Sequence, residues 1–366
     1  MSIHVEDQVA GKWVVSDPEL RPVGLAIVGA GYWGPNLVRN ALQSSATRLT
    51  AICDVDRIRA EKLASGFAGV EAVDDLQRLL DDPFVEAVAV ATPPATHLEV
   101  AMAAIESNKH VLIEKPLASS YSEGRALVNA AEEQGVVLMC DHTYCYTPAV
   151  QRIRELVRTG VLGKLQFLDS VRINLGLVQR DVNVLWDLAP HDLSILDYIL
   201  PDGWMPLAVS ATGADPIGAG QACVAYLTLQ LPHGAIAHVH VNWLSPIKVR
   251  TTTIAGSNRT LVWDDLNPSQ RISVYDRGVD LADPAQLDAD DRRQAMVSYR
   301  SGDMVAPALP EREALQGVMA EFAHCIRAGR ASVTDGRAGL RVLDILEAAS
   351  RSLEFHGSVV PLRGER

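Results

Sequence analysis

The segment Gly29-Ala30-Gly31-Tyr32-Trp33-Gly34 constrains this chain most, because of what flanks it. An apolar run, Val23 to Val28, leads into it, and Leu37, Val38, Ala41 and Leu42 recur behind it at helical spacing. The pattern reads strand, glycine turn, helix. Asp54 stands 20 residues beyond Gly34, just past the next apolar segment, Leu49 to Cys53. Together these describe a dinucleotide-binding unit. The glycines allow a tight turn and a close approach of the backbone to a pyrophosphate, which rests on the helix N-terminus, where free N–H groups and the dipole favour anions. Asp54 can accept hydrogen bonds from both ribose hydroxyls and would repel a 2′-phosphate, so NAD is expected in preference to NADP. Asp56, Arg57 and Arg59 compete with that reading, since a neighbouring arginine tolerates a phosphate. Trp33 is expected beside the dinucleotide or as a core aromatic at the helix start.

The alternation continues with a helix around Ile58 to Ala64, a short strand near Val70 and a helix near Leu76 to Leu80. Then come a buried strand, Val85 to Ala91, a helix, His97 to Glu106, a strand, His110 to Ile113, a helix, Ser122 to Gln134, and a strand, Val136 to Cys140. Alternating strands and helices imply a parallel sheet with right-handed crossovers. After about Tyr144 the rhythm changes. A helix at Ala149 to Thr159 precedes longer strands at Leu165 to Ile173, Ala208 to Thr212, Ala222 to Gln230, Ala235 to Trp243, Lys248 to Ala255, Thr260 to Trp263 and Arg271 to Tyr275. His238 and His240 alternate with Val239 and Val241, as in an antiparallel sheet with one covered face. Asp280 to Leu309 is charged and irregular and reads as a long surface loop. Helical patterns at Arg312 to Ala328 and Gly336 to Phe355 close the chain.

The expected fold class is therefore α/β. An N-terminal arm (1–22) precedes a Rossmann NAD-binding domain (23–143). An α+β domain (144–366) follows with a large, mostly antiparallel open-faced sheet, and the helices of 312–355 are expected to pack back toward the first domain. The 366 residues suit this division at ~100–200 residues per domain. Lys plus Arg number 33 against 45 Asp plus Glu, a net charge of −12 with no basic block, which argues against a nucleic-acid surface and leaves a cationic substrate open. Five cysteines are an odd number in a long chain and do not suggest a disulfide framework. The first 22 residues carry neither a signal-peptide nor an anchor pattern. No stretch reaches the ~18 apolar residues of a membrane span. A soluble, cytoplasmic protein is expected.

Two further segments carry chemistry. Ala91-Thr92-Pro93-Pro94 ends the fourth strand and Glu114-Lys115-Pro116 the fifth, which puts both on the carboxyl edge of the sheet, where doubly wound folds bind ligands. A lysine held in a turn by the following proline is well fixed there, although a surface Glu-Lys pair before a turn is the plainer reading. The second segment runs from Trp186 to Leu196. Proline is tolerated in a first helical turn, so Pro190 places Asp187 at or near the N-cap and His191 about one turn later on the same face. The helix dipole would keep His191 neutral and able to accept a proton, with Asp187 orienting the ring. Asp187 as a simple cap and His191 as a satisfied histidine remain open. His238 and His240 share a sheet face but lack a third ligand, and His142 with Cys140 and Cys145 lacks zinc spacing. No metal is expected.

With Gly29 to Gly34, Asp54, Ala91-Thr92-Pro93, Glu114-Lys115-Pro116 and the Asp187 to His191 segment in this order, the chain from about Val23 to Leu362 resembles the glucose-fructose oxidoreductase, inositol dehydrogenase and MocA family. The resemblance implies a Rossmann domain holding a nicotinamide dinucleotide and an open-faced C-terminal sheet that contacts substrate and forms a homodimer or homotetramer. It implies Lys115, Asp187 and His191 as the catalytic group. The cofactor set it implies is Gly29, Gly31, Tyr32, Trp33, Gly34, Asp54, Thr92, Pro93, His97, Glu114 and Lys115. Gly31 to Asn36, Asn183 to Leu188 and Gly302 to Val305 are similar to the branch holding the UDP-N-acetylglucosamine and UDP-N-acetylglucosaminuronate 3-dehydrogenases. Asp141 and Cys145 depart from the pattern. A small residue is expected at the first position and an apolar or aromatic one at the second, both near the nicotinamide edge.

The expectation is NAD-dependent oxidation of a secondary hydroxyl, at C3 of a nucleotide sugar or amino sugar, to a ketone. Arg172, Asn174, Gln179 and Asn183 precede the catalytic helix and are expected to contact substrate. Arg172, Lys248 and Arg250 could serve a diphosphate. A cyclitol or aminoglycoside dehydrogenase, an NAD-dependent glycosidase with transient C3 oxidation, and a non-catalytic dinucleotide sensor are the alternatives.

Overall fold

The computed structural model describes residues 21–179, 182–281 and 297–364. The expected N-terminal arm lies outside them up to residue 20. The described chain divides into two compact units. The first comprises residues up to 119 with 125–141 and 315–336, and the second 120–124, 142–314 and 337 onward.

The first unit is built on β1 (Val23–Val28), α1 (Gly34–Gln43), β2 (Thr47–Cys53), α2 (Arg57–Ala64), β3 (Glu71–Val73), α3 (Leu76–Leu80), β4 (Ala87–Val90), α4 (His97–Glu106), β5 (His110–Glu114), α5 (Tyr121–Gln134) and β6 (Leu138–Asp141). Its strands form a six-stranded parallel sheet in the order β3-β2-β1-β4-β5-β6. β1 and β4 are buried at every residue, the continuous apolar character of strands covered on both faces. The order reverses beside β1, so the crevice outside the ends of β1 and β4 is the topological switch point.

The second unit is built on α6 (Pro148–Arg158), β7 (Leu165–Leu175), α7 (Val184–Ile199), β8 (Ala208–Ala214), β9 (Val224–Gln230), β10 (Ile236–Asn242), β11 (Leu244–Gly256), β12 (Thr260–Asp264), β13 (Ile272–Leu281) and β14 (Val297–Val305). The chain closes with α8 (Ala314–Ala328), α9 (Gly336–Glu354) and β15 (Val360–Pro361). α8 belongs to the first unit, where Arg327 forks onto Glu86 at 2.9 Å through both terminal nitrogens. That bond holds the Glu86 carboxyl down at about 2. Most of α9 belongs to the second unit, and Arg341 clamps Asp197 of α7 at 2.6 and 2.8 Å.

Nine strands form the second sheet, in the order β14-β13-β12-β11-β7-β10-β9-β8-β15. All pairs are antiparallel except β10 with β7. Along β10 buried residues alternate with half-exposed ones, which matches the expected single covered face.

The expected surface loop over Asp280 to Leu309 needs correction. β13 runs on to Leu281, and Val297–Val305 pairs with it as an edge strand, with Val279 opposite Tyr299. Residues 282–296 lie outside the described ones. β14 is exposed along nearly its whole length, so it carries no apolar alternation to read. Its backbone ladder and an Arg300–Asp276 pair at 2.9 Å hold it. Among the described residues no helix is long and apolar enough to cross a membrane.

Candidate active site

The glycine turn is built from positions with different needs. Gly29 has φ +107°, and a Cβ there would lie 2.6 Å from the Ala91 carbonyl oxygen, so both conformation and the close approach of β4 require glycine. At Gly34 a Cβ would run into the Gly29 carbonyl. Gly31 is different: a Cβ there meets nothing within 4 Å, and its φ is not in the left-handed region. Nothing in the chain itself requires glycine at 31, whereas a pyrophosphate lying against the backbone would. The residues present therefore fit a dinucleotide.

Asp54 ties the end of β2 to this turn. One carboxylate oxygen accepts from the Ala30 N–H at 2.7 Å and the other from the Asp56 N–H at 2.9 Å. A carboxylate has about four acceptor sites, so capacity for ribose hydroxyls remains. The rivals are occupied. Asp56 caps α2 by accepting from the Ile58 and Arg59 N–H groups, Arg57 bonds Glu61 at 2.8 Å, and Arg59 pairs with Asp56 at 3.1 Å. Tyr32 is 95% exposed beside the turn. Trp33 stands as N-cap of α1 without a side-chain cap, and its indole Nε1 is buried without a hydrogen-bond partner.

Thr92, Glu114 and Lys115 lie at the carboxyl edge, as expected. Thr92 Oγ1 is, like Trp33 Nε1, enclosed and without a hydrogen-bond partner. Pro93 is exposed. His97 is corrected from cofactor contact to support. It is fully buried, with Nδ1 2.9 Å from the Pro116 carbonyl and Nε2 3.0 Å from the Thr92 carbonyl. Burial lowers its pKa, so the neutral ring donates to one of these two carbonyls and braces the Thr92 and Lys115-Pro116 turns against each other.

Glu114 and Asp141 are register partners on β5 and β6. Burial, and then the Asp141 charge beside it, push the Glu114 carboxyl well above the usual range, against the opposing pull of Lys115. Asp141, the departure noted in the sequence, thus places a second acid against the Glu-Lys-Pro turn.

α7 differs from the sequence expectation at its start. Asn183 is the N-cap, its side-chain oxygen accepting from the Leu185 N–H at 3.0 Å and the Trp186 N–H at 3.2 Å. Asp187 therefore lies in the first turn rather than at the cap, Pro190 sits inside the helix, and His191 is one turn deeper than expected. The Asn183 cap, four residues before Asp187, starts the helix a turn earlier than Pro190 implies. The i, i+4 spacing still puts Asp187 and His191 on one face. Asp187 Oδ2 accepts from the Trp243 indole at 2.9 Å.

Around His191, Tyr144 presents a ring at 5.2 Å between centroids and 67° between planes. The Tyr144 hydroxyl oxygen accepts from Arg250 Nη1 at 2.8 Å, and the Arg172 guanidinium lies 4.5 Å over its ring. Cys145, the second departure, is buried, and its thiol contacts the Ser194 carbonyl on α7 at 3.5 Å. Burial raises its pKa, so it packs as a thiol and is no nucleophile.

Arg172 is corrected as a substrate contact. It is 3% exposed, and its Nε and Nη2 donate to Asp192 at 2.7 and 3.2 Å, while Ser170 Oγ adds a 2.8 Å bond to the same carboxylate. A guanidinium held in this way has a structural task. Asn174 is half-buried near Gly176, Gln179 accepts through its backbone carbonyl from Gln221, and the Asn183 oxygen is taken by its cap. Sequence reasoning missed Tyr144, Asp192 and Trp243, and it set Arg250 against a diphosphate where the structure shows it on the Tyr144 hydroxyl. Their partners lie 20 to 106 residues away along the chain, and no local pattern announces such pairs.

A glycine turn at the switch point of a parallel sheet, a carboxylate closing on it, and a polar carboxyl edge define a dinucleotide-binding oxidoreductase of the Rossmann class. Residues 23–142 match the oxidoreductase family with NAD-binding Rossmann fold, and residues 150–262 match the GFO/IDH/MocA C-terminal domain. The chain belongs to the Gfo/Idh/MocA family of oxidoreductases.

Among its relatives, a 2,7-anhydro-N-acetylneuraminate hydratase of Mediterraneibacter gnavus is 30% identical, with the alignment spanning 56% of this chain and 55% of that protein. The UDP-N-acetylglucosamine 3-dehydrogenase of Acidithiobacillus ferrooxidans is 27% identical over 87% of this chain and 93% of its own length. Its solved structure superposes with a TM-score of 0.75 at 25% identity, covering 92% of this chain and 99% of that one. GenD2 from gentamicin A biosynthesis, solved in complex with NAD, shares the fold at a TM-score of 0.75 and 23% identity, covering 94% and 97%.

Proposed function

We propose that this protein is an NAD-dependent dehydrogenase that oxidises a secondary hydroxyl, at C3 of the ring of a nucleotide sugar or a related amino sugar, to a ketone. The observation that carries the reading is the Glu114-Lys115-Pro116 turn at the carboxyl edge of a sheet whose glycine turn leaves room at Gly31. The near full-length likeness to a UDP-N-acetylglucosamine 3-dehydrogenase supports the substrate class. NAD, when bound, supplies the hydride acceptor.

The chain's residues do the rest. His191 takes the hydroxyl proton as general base. The Lys115 ammonium donates to the reacting oxygen and stabilises the negative charge that develops there. Asp187, held by Trp243, fixes the face of α7 that presents His191. Gly29, Gly31 and Gly34 with Tyr32, Trp33, Asp54, Thr92 and Pro93 hold the dinucleotide, and Glu114 sets the charge beside Lys115. Asn174, Gln179 and the exposed Lys248 contact the substrate. The uncovered face of the nine-stranded sheet, with Phe167, Tyr226 and Ile236 exposed, forms the interface of a homodimer or homotetramer, which light scattering after size exclusion would read directly.

The test is NADH formation across a panel of UDP-N-acetylglucosamine, its uronate, scyllo-inositol and an aminoglycoside. Turnover of a nucleotide sugar with a ketone product is expected, and no turnover of any sugar overturns the reading. A redox-neutral variant is favoured by one observation, the relative named a hydratase. It predicts a changed sugar with no accumulated NADH.

A further inference from the structure

We propose that Tyr144 is a positioning residue for His191: its ring edge fixes the imidazole plane, while Arg172 and Arg250 fix the tyrosine. The inference rests on the reading of His191 as the proton acceptor. α7 determines where the His191 backbone lies, and the two side-chain torsions of the imidazole are set by the groups its ring meets. A general base has to present one nitrogen within about 2.6–3.2 Å of the hydroxyl it deprotonates, so a ring that samples rotamers spends much of its time unproductive. The Tyr144 ring meets the imidazole in an edge-to-face contact, 5.2 Å between centroids and 67° between planes, a geometry that favours one orientation of the two rings.

Tyr144 can serve in this way because it is itself held from several sides. It lies in a short 3₁₀ turn, Thr143–Tyr146. Cys145, the next residue, is tied to the Ser194 carbonyl on α7 at 3.5 Å. The guanidinium over the Tyr144 ring is that of Arg172, whose carboxylate partner is Asp192, the residue that follows His191. Trp263 meets the tyrosine ring at 6.2 Å. The ring, the thiol and the guanidinium thus all lead back to one stretch of α7, His191 to Ser194. The hydroxyl accounts for tyrosine here in place of phenylalanine: Arg250 Nη1 donates to it at 2.8 Å and pins the far end of the ring.

The experiment uses the full chain and two readouts. Isotope-edited NMR follows the His191 imidazole, assigned by loss of its signals in His191→Ala. Steady-state turnover is measured with UDP-N-acetylglucosamine, and with the other panel sugars where that probe is not turned over. In Tyr144→Leu the His191 signals should lose their ring-current displacement and broaden. kcat should fall about 10–100-fold, with KM and NAD affinity changing less than about twofold, and the isotope effect on the carbon-bound hydrogen should rise. Tyr144→Phe keeps the ring and should restore the imidazole signals and most of the rate. Should Tyr144→Leu not fold, Arg250→Met carries the test through the same signals, which should broaden without moving fully.

Unchanged His191 signals in the variant, or moved signals with wild-type turnover, overturn the proposal. If His191→Ala itself retains turnover, the proposed function fails instead, and the imidazole signals still report whether Tyr144 holds the ring.

Discussion

In the first unit Trp33 Nε1 and Thr92 Oγ1 are enclosed without hydrogen-bond partners, whereas around α7 Arg172, Asp187 and Asn183 all have theirs within the chain. An enclosed unsatisfied polar atom costs about 1–3 kcal/mol. The glycine edge therefore carries unspent hydrogen-bonding capacity, which a bound dinucleotide would offset. Around α7 the guanidinium of Arg172, the carboxylate of Asp187 and the Asn183 cap are taken up by partners in the chain. One region is shaped for a ligand and the other for rigidity, and substitutions should separate the two.

The largest expected effect falls on chemistry. His191→Ala and Lys115→Met should each lower turnover by roughly 10²–10⁴-fold while NAD affinity by calorimetry stays within error. A wild-type rate in either removes that residue from the mechanism. Next comes the rigid region. Arg172→Met leaves Asp192 charged and buried, which should cost about 3–5 kcal/mol in denaturant unfolding. Arg172→Met with Asp192→Leu should recover most of that. If the single and double variants are equally unstable, the pair is not what holds β7 to α7.

The ligand-shaped region should respond in the opposite sense. Gly31→Ala places a methyl where the chain has open space, so the fold should be unharmed or gain about 0.4–1 kcal/mol from the stiffer unfolded chain. NAD affinity should fall at least about tenfold, since the methyl occupies the approach of the pyrophosphate. Gly29→Ala should destabilise the protein outright, because its Cβ meets the Ala91 carbonyl and its φ is +107°. Equal behaviour of the two variants would erase the distinction drawn between these glycines.

The same contrast explains what was legible in the sequence. Gly29 to Gly34, Asp54 and the strand ends at Thr92 and Lys115 are local devices: each lies within a few residues of the element that positions it, and β-α alternation supplies the rest. The α7 neighbourhood is assembled from pairs distant along the chain, Arg172 with Asp192, Tyr144 with Arg250 and Trp243 with Asp187. There a charged residue looks the same whether it faces substrate or a buried partner, which is how Arg172 came to be expected at the substrate. His97 misleads in a related way. It follows a ligand-binding turn, but the carbonyls that use it are those of Thr92 and Pro116, and the second lies a whole helix and strand further on. β14 escaped detection for the converse reason, since a solvent-exposed edge strand needs no apolar pattern.

The smallest expected effect is a pH dependence that His97 gives to the first unit. Burial lowers its pKa below the ordinary 6.5, so in the folded chain it stays neutral at acidities where the unfolded chain already binds a proton. Below the ordinary value the unfolded state holds more protons than the native one, and the stability of unfolding falls with falling pH until the folded group also titrates. His110, also lowered by burial, adds to the same slope; its Nδ1 accepts from the Val137 N–H at 2.9 Å, a bond only the neutral ring can make. Denaturant midpoints measured downward from neutrality should therefore decline before the carboxylates titrate. In His97→Asn the decline should be shallower, with a lower plateau near neutrality, because one brace between the Thr92 and Pro116 turns is gone. A slope unchanged from wild type would mean that the His97 ring is protonated in the fold, donating to both carbonyls at once.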